Sequence, residues 1–133
     1  MSELSGIVGI SVVKNESDII EPMVRHNLRF LDHLIVIDNN SGDATSDIAN
    51  ALSAEFPDRL ILKRDLRTGH VQTDVVNETC RALASQQDIA CFIPLDADEF
   101  IIAERQFFRR KLLSEKRPIL LPWVTYVPSP QDD

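Results

Sequence analysis

Residues 7–38 read IVGISVVKNESDIIEPMVRHNLRFLDHLIVID, and a change of period inside this stretch decides the fold. Ile7 to Val13 is a short run rich in β-branched residues, the pattern of a buried strand. It stops at Lys14-Asn15-Glu16. From Ser17 to Leu31 the apolar positions Ile19, Ile20, Met23, Val24, Leu28 and Leu31 fall on one side of a helix. Ser17 or Asp18 is placed to cap its start, and Pro22 suits only its first turn. Leu34 to Ile37 is a second apolar run, ended by Asp38.

The same unit recurs downstream. Ile48, Ala49, Leu52 and Phe56 have helical spacing, with Asp43 or Thr45 as cap and Pro57 as stop. Leu60 to Leu62 begins a third strand, which closes at Lys63-Arg64-Asp65. A polar loop with Gly69 leads to Val75, Val76, Thr79, Cys80 and Leu83, a third helical pattern. Ala90 to Leu95 is a fourth strand and ends in Asp96-Ala97-Asp98-Glu99. Strand–helix–strand repeated in this way predicts an α/β fold, a mainly parallel sheet with helices on both faces. In the last third, Phe107, Phe108, Leu112 and Leu113 suggest a short helix. Ile119 to Leu121, or on to Tyr126, suggests a further strand limited by Pro118 and Pro122. The tail from Pro128 reads as coil.

The length of 133 residues predicts a single domain over 1–133. With 44% hydrophobic and 26% charged residues, the chain is globular rather than disordered. No apolar run approaches the ~20 residues that span a bilayer, and the N-terminus lacks a basic n-region. The sequence therefore predicts neither a transmembrane segment nor a signal peptide. The 14 basic and 21 acidic residues give a net charge of −7, which argues against a nucleic-acid partner. An acidic chain can still bind a phosphorylated ligand through an intervening metal cation. Cys80 and Cys91 make neither a disulfide framework nor a zinc site. Both read as core residues, and a reduced, cytoplasmic setting is expected.

Parallel units bring every strand's C-terminal end to one edge, where open α/β sheets bind ligands. That edge would carry Lys14-Asn15-Glu16, Asp38-Asn39, Asp65, and Asp96 with Asp98. Carboxylates at i and i+2 repel unless a cation lies between them, and hard oxygen ligands suit Mg²⁺ or Mn²⁺. The plain alternative for Asp96 and Asp98 is a solvated acidic turn. Their position after an apolar strand, with Asp38 on the same rim, favours the metal. A turn and a helix cap account for Ser41, Gly42, Asp43 and Thr45. Asp38 is left over, and it can accept from a base N–H or a ribose hydroxyl.

Other positions divide between a ligand and a structural role. Lys14 reads as the start of a helix turn, while Asn15 and Glu16 fit either role. Asp65, Arg67 and His70 flank the rim. Arg67 suits a phosphate or plain solvent, and His70 has no second His or Cys at ligand spacing. Trp123 and Tyr126 suit a stacked sugar or base, or the core. Arg105, Arg109, Arg110 and Lys111 read as a solvated helix face. A P-loop, a Gly-x-Gly-x-x-Gly turn and a Gly-x-Ser-x-Gly elbow are all missing from the sequence.

Three landmarks, in order, carry a resemblance. Val13-Lys14-Asn15-Glu16, Val36-Ile37-Asp38-Asn39-Asn40-Ser41-Gly42-Asp43-Ala44-Thr45 and Ile93-Pro94-Leu95-Asp96-Ala97-Asp98-Glu99-Phe100 resemble, respectively, the "NE" turn, the "DDGSxDxT" element and the "DxD" element of GT-A-fold glycosyltransferases of the broad family 2 group. The wording is most similar to the subgroup with Asp-Ala-Asp-Glu-Phe, and the match covers about residues 5–100. It differs at Asn39, where a second Asp is common, and at Asn40, where Gly is common. The resemblance implies a hexosyltransferase-type enzyme with a nucleotide diphosphate sugar as donor, UDP-sugar foremost, and a glycan, lipid or protein acceptor.

The resemblance also implies roles. Asp38 would meet the uracil or ribose, and Asp96 the ribose or metal-bound water. Asp98 would ligate Mg²⁺ or Mn²⁺, with Asp96 beside it. Asn15, Glu16, Asn39 and Asp65 would complete the nucleotide-sugar site. Only 34 residues follow Glu99, where the family places its acceptor site and the base of inverting members. The resemblance thus implies a partial acceptor side over 101–133, no assignable catalytic base, and a truncated domain. A non-catalytic nucleotide-sugar-binding module is the alternative. A receiver domain fits poorly, since its first strand should end in an acidic pair. A metal-dependent phosphatase or nucleotidyltransferase shares the carboxylate-bound metal.

Overall fold

A computed structural model describes residues 3–86 and 88–122. Its elements in order are β1 (Gly6–Val13), α1 (Ile20–Asn27), β2 (His33–Asp38), α2 (Thr45–Glu55), β3 (Leu60–Arg64), α3 (Gln72–Leu83), β4 (Ile89–Pro94) and α4 (Arg105–Ser114). The strands form one sheet in the order β3-β2-β1-β4, and each pairing is parallel. β1 and β2 are central, which is why their sequences are continuous apolar runs.

Alternate side chains of β1 feed two cores. Ile7 and Val13 pack with Ile20, Met23 and Val24 of α1, Ala49 and Leu52 of α2, and Phe108 and Leu112 of α4. Val8 and Ile10 pack on the other face with Val75 and Leu83 of α3. Helices therefore cover both faces, as the alternation predicts. Cys91 packs against the first core and Cys80 against the second.

Several details depart from the expectation. α1 starts at Ile20, and neither Ser17 nor Asp18 caps it. Its first turn closes instead on the Glu16 carbonyl, which accepts from Ile19 and Ile20 at 3.1 and 2.9 Å. Pro22 then falls in the first turn, where its missing N–H costs nothing. α1 also ends at Asn27, yet Leu28 and Leu31 stay buried through the turn that follows. In α4 only the i, i+4 pair Phe108 and Leu112 is buried, while Phe107 and Leu113 face out.

The basic face of α4 is not simply solvated. Arg109 donates to the Phe30 carbonyl at 3.0 Å and to Asp32 at 2.9 Å, and Arg105 donates to the Arg29 carbonyl at 2.6 Å. The turn after α1 presents these acceptors directly to the helix. Finally, residues 119–122 form no strand, in keeping with the two prolines that frame them. The extension to Tyr126, Trp123 and the tail lie outside the described residues.

Ser11 sits in the middle of β1 with no exposure, and its hydroxyl has no partner among the described residues. A buried unmade hydrogen bond costs about 1–3 kcal/mol. Ser11→Ala is therefore expected to stabilise the fold by about 1 kcal/mol, read as a higher urea midpoint with an unchanged slope.

Candidate functional site

The site is built from the turns that leave the four strands at one edge. The turn after β1 and the turn after β2 are laced together. Asn15 takes a left-handed backbone (φ 54°), which asparagine tolerates. Its N–H donates to Ser41 Oγ at 3.0 Å, and its Oδ1 accepts from the Gly42 N–H at 2.7 Å. The Glu16 N–H donates to Thr45 Oγ1 at 2.8 Å, and the Ser17 N–H to Asp43 at 3.3 Å. Asn15 thus braces one strand end against another.

Asp43 is the charged member of this brace. It accepts from the Thr45 hydroxyl and from the Thr45 N–H at 2.9 Å. These bonds, with help from Ser17, hold its carboxyl down to about 2. The ordinary value is 3.8, so the stability it contributes is present above pH 3.8 and is lost as pH falls towards 2. Asp43→Asn is expected to flatten this part of the acid-unfolding curve, measured by urea midpoints between pH 5 and pH 2.

Asp38 ends β2 with only 4% of its surface exposed. It accepts from the Ser41 N–H at 3.1 Å and from the Ser46 hydroxyl. Burial pushes its carboxyl up, but the hydrogen bonds from Ser41 and Ser46, aided by the Arg64 charge, outweigh that and bring it below its usual value. Asp38 is therefore ionised at neutral pH.

Asn39 is 5% exposed. Its amide donates to the carbonyls of Asp65 at 3.1 Å and Arg67 at 2.9 Å. Its Oδ1 accepts no hydrogen bond among the described residues. Asp65 faces Arg67 rather than standing free, at 2.7 Å, and Arg67 also grips Glu78 at 2.9 Å. Both Arg67 and Asp65 are thus already paired at the rim.

The turn after β4 carries the acidic motif. The Asp96 N–H donates to the Glu99 carboxylate at 2.7 Å, and the Glu99 N–H donates back to the Asp96 carbonyl at 3.0 Å. Asp96 is half-buried and accepts from the Gln72 amide at 2.8 Å; Asp98 is exposed. Burial raises the Glu16 carboxyl above its ordinary value, and the charges of Asp18, Asp98 and Asp43 add to this. The ends of β1 and β4 therefore bring Glu16 and Asp98 into each other's field.

Three anchoring residues escaped sequence reasoning. Asn27, fully buried in α1, donates to the Glu99 carbonyl at 2.8 Å and accepts from the Ile101 N–H at 2.9 Å. His26 Nε2 lies 2.6 Å from the Ile101 carbonyl. Gln72 is the third. The only available signal was Asn27 itself, a polar residue four positions from both Met23 and Leu31 on the apolar face.

The turns after β1 and β2 and the segment leading into α3 line an open cleft of about 400 Å³, through Lys14, Glu16, Asn39, His70, Gln72 and Thr73, among others. α3 opens onto it without a side-chain cap. A second surface groove, along α4, gathers none of the strand-end residues. Among the described residues, no group of three or more His, Cys, Asp or Glu is disposed to hold a metal. The carboxylates of Asp96 and Asp98, two residues apart in one turn, are hard oxygen donors. That donor set fits Mg²⁺ or Mn²⁺ shared with ligand phosphates, which needs only one or two carboxylates.

Comparisons with known proteins agree with the fold. A family model described as glycosyl transferase family 2 matches residues 10–105. Among solved structures, the chain is similar to a crystal structure of S. aureus TarS 1-349, with a TM-score of 0.52 and 15% identity. The match covers 71% of this chain and 28% of that one, so the chain spans less than a third of that relative. No curated protein matches. Among the described residues, no helix is long and apolar enough to cross a membrane.

Proposed function

The chain belongs to glycosyl transferase family 2, and we propose that its strand-end cleft binds the donor of a glycosyl transfer, a nucleotide diphosphate sugar of the uridine type, together with Mg²⁺ or Mn²⁺. Its fold is the GT-A arrangement, an all-parallel α/β sheet with helices on both faces. The observation that supports the reading is a strand-end cleft lined by Glu16, Asn39 and Gln72, with Gln72 donating to Asp96 of the turn after β4 and the Asp98 charge felt at Glu16.

In this reading the ionised Asp38, with the adjacent Asn39 Oδ1, is the acceptor for a base N–H or a ribose hydroxyl. Asp96 faces the ribose or metal-bound water. Asp98 and Asp96 hold the cation, whose chemistry when bound is to stabilise charge on the departing diphosphate. Asn15 and Asp65 serve the site by bracing its walls. The acceptor is a glycan, lipid or protein.

Calorimetric titration with uridine and guanosine diphosphates, with and without Mn²⁺, tests the reading on wild type and Asp98→Ala. Wild type is expected to bind uridine diphosphate only with Mn²⁺, and Asp98→Ala to lose that dependence. Equal binding by both proteins removes the metal role from Asp98. Release of sugar to an acceptor or to water by the purified chain separates an enzyme from a binding module.

A further inference from the structure

The segment from Asp65 to Gln72 crosses the strand ends and supplies one wall of the cleft through Gly69, His70, Val71 and Gln72. Side-chain amides fasten it at both ends. At the β2 end, Asn39 Nδ2 donates to the carbonyls of Asp65 and Arg67 at 3.1 and 2.9 Å. Asn40 Nδ2 donates to those of Leu66 and Arg67 at 2.9 and 3.3 Å. At the β4 end, Gln72 Nε2 donates to Asp96 Oδ1 at 2.8 Å.

What matters is that all three side chains donate. A carboxylate at 39 or a glycine at 40 has no N–H to give a carbonyl. Asn40 sits at φ 57°, a conformation glycine adopts more easily. Asparagine tolerates this conformation, and its side-chain amide is spent wholly on the crossing segment.

We propose that Asn39, Asn40 and Gln72 are positioning residues that hold 65–72 as a preformed wall of the cleft and, through Gln72, fix the orientation of the Asp96 carboxylate. A wall ordered before binding spares the ligand the entropy of ordering it. The effect on ligand binding rests on the donor reading above; the fastening of the segment does not.

The test uses the full chain and two readouts. The first is tryptic cleavage between Arg67 and Thr68, followed by mass spectrometry without ligand. Loss of the amide donors in Asn39→Asp or Asn40→Gly is expected to speed this cut about tenfold, since cleavage tracks the population of the opened segment. Asn40→Gln, which keeps a donor, is expected to fall back towards wild type. The urea midpoint of Asn40→Gly should stay close to wild type, because its bonds are at the surface.

The second readout is the dissociation constant of uridine diphosphate with Mn²⁺, expected to weaken about tenfold in Asn40→Gly and in Gln72→Ala. Unchanged cleavage in both Asn39→Asp and Asn40→Gly overturns the proposal. Faster cleavage with unchanged uridine diphosphate binding overturns the positioning role. If wild type binds no uridine diphosphate, the donor reading fails, and the fastening is still decided by the cleavage rates.

Discussion

Asn27→Ala is expected to lower the stability of the fold by about 3–4 kcal/mol. Asn27 is fully buried, and its amide bonds to two backbone groups, the half-buried Glu99 carbonyl and the buried Ile101 N–H. Alanine removes both of these bonds, each worth about 1–3 kcal/mol, and adds a small cavity between α1 and the turn. Asn27→Asp does not restore the loss, because it keeps the acceptor but removes the donor and buries a charge. Urea midpoints measure the effect, and a loss below about 1 kcal/mol would mean that water reaches the turn. The same change frees the Asp96–Glu99 turn from α1. It should therefore also weaken any ligand that depends on Asp98.

Asp38→Ala carries the second large effect, on stability and binding together. Removing the carboxylate leaves the Ser41 N–H and the Ser46 hydroxyl without their acceptor, worth about 2 kcal/mol. The pH dependence has a definite sign. Asp38 is held below its ordinary 3.8, so its stabilisation is complete above that pH and fades as pH falls through the folded value. Wild type and Asp38→Ala should therefore converge in stability in strong acid. Ser46→Ala separates the two roles, since it removes one brace but leaves the carboxylate. If Asp38 serves the nucleotide as proposed, uridine diphosphate binding is lost in Asp38→Ala and kept in Ser46→Ala. Loss in both would reduce Asp38 to a brace.

The change of period at Lys14-Asn15-Glu16, and its repeats, made the parallel sheet and its helices readable from sequence. Buried strands and one-sided helices are written in which residues are apolar. Asp38, Asp96 and Asp98 are readable as rim residues for the same reason, because Asp38 and Asp96 directly follow apolar runs and Asp98 lies two residues past the second. What a polar side chain bonds to was not readable. Nothing in the order of residues tells that Asp65 is gripped by Arg67, that Asn15 braces Gly42, or that Gln72 reaches Asp96 across 24 positions. The basic residues of α4 likewise read as solvated from sequence, whereas the turn after α1 offers them carbonyls. The strand expected at 119–121 shows the limit of an apolar run as a signal, since Ile119 packs on the core without pairing.

Distant residues meet at the C-terminal edge of the sheet, and the proposal is that they hold a cation there with a nucleoside diphosphate. Paramagnetic broadening of backbone amide resonances by Mn²⁺, with uridine diphosphate present, tests it most directly. The account predicts that signals of 14–17, 38–42, 69–73 and 96–99 vanish first. Those of Gly6, Ile7, Asp32, His33 and Leu60, at the opposite edge, should stay sharp. Broadening centred on that opposite edge, or an even effect across the sheet, would contradict it.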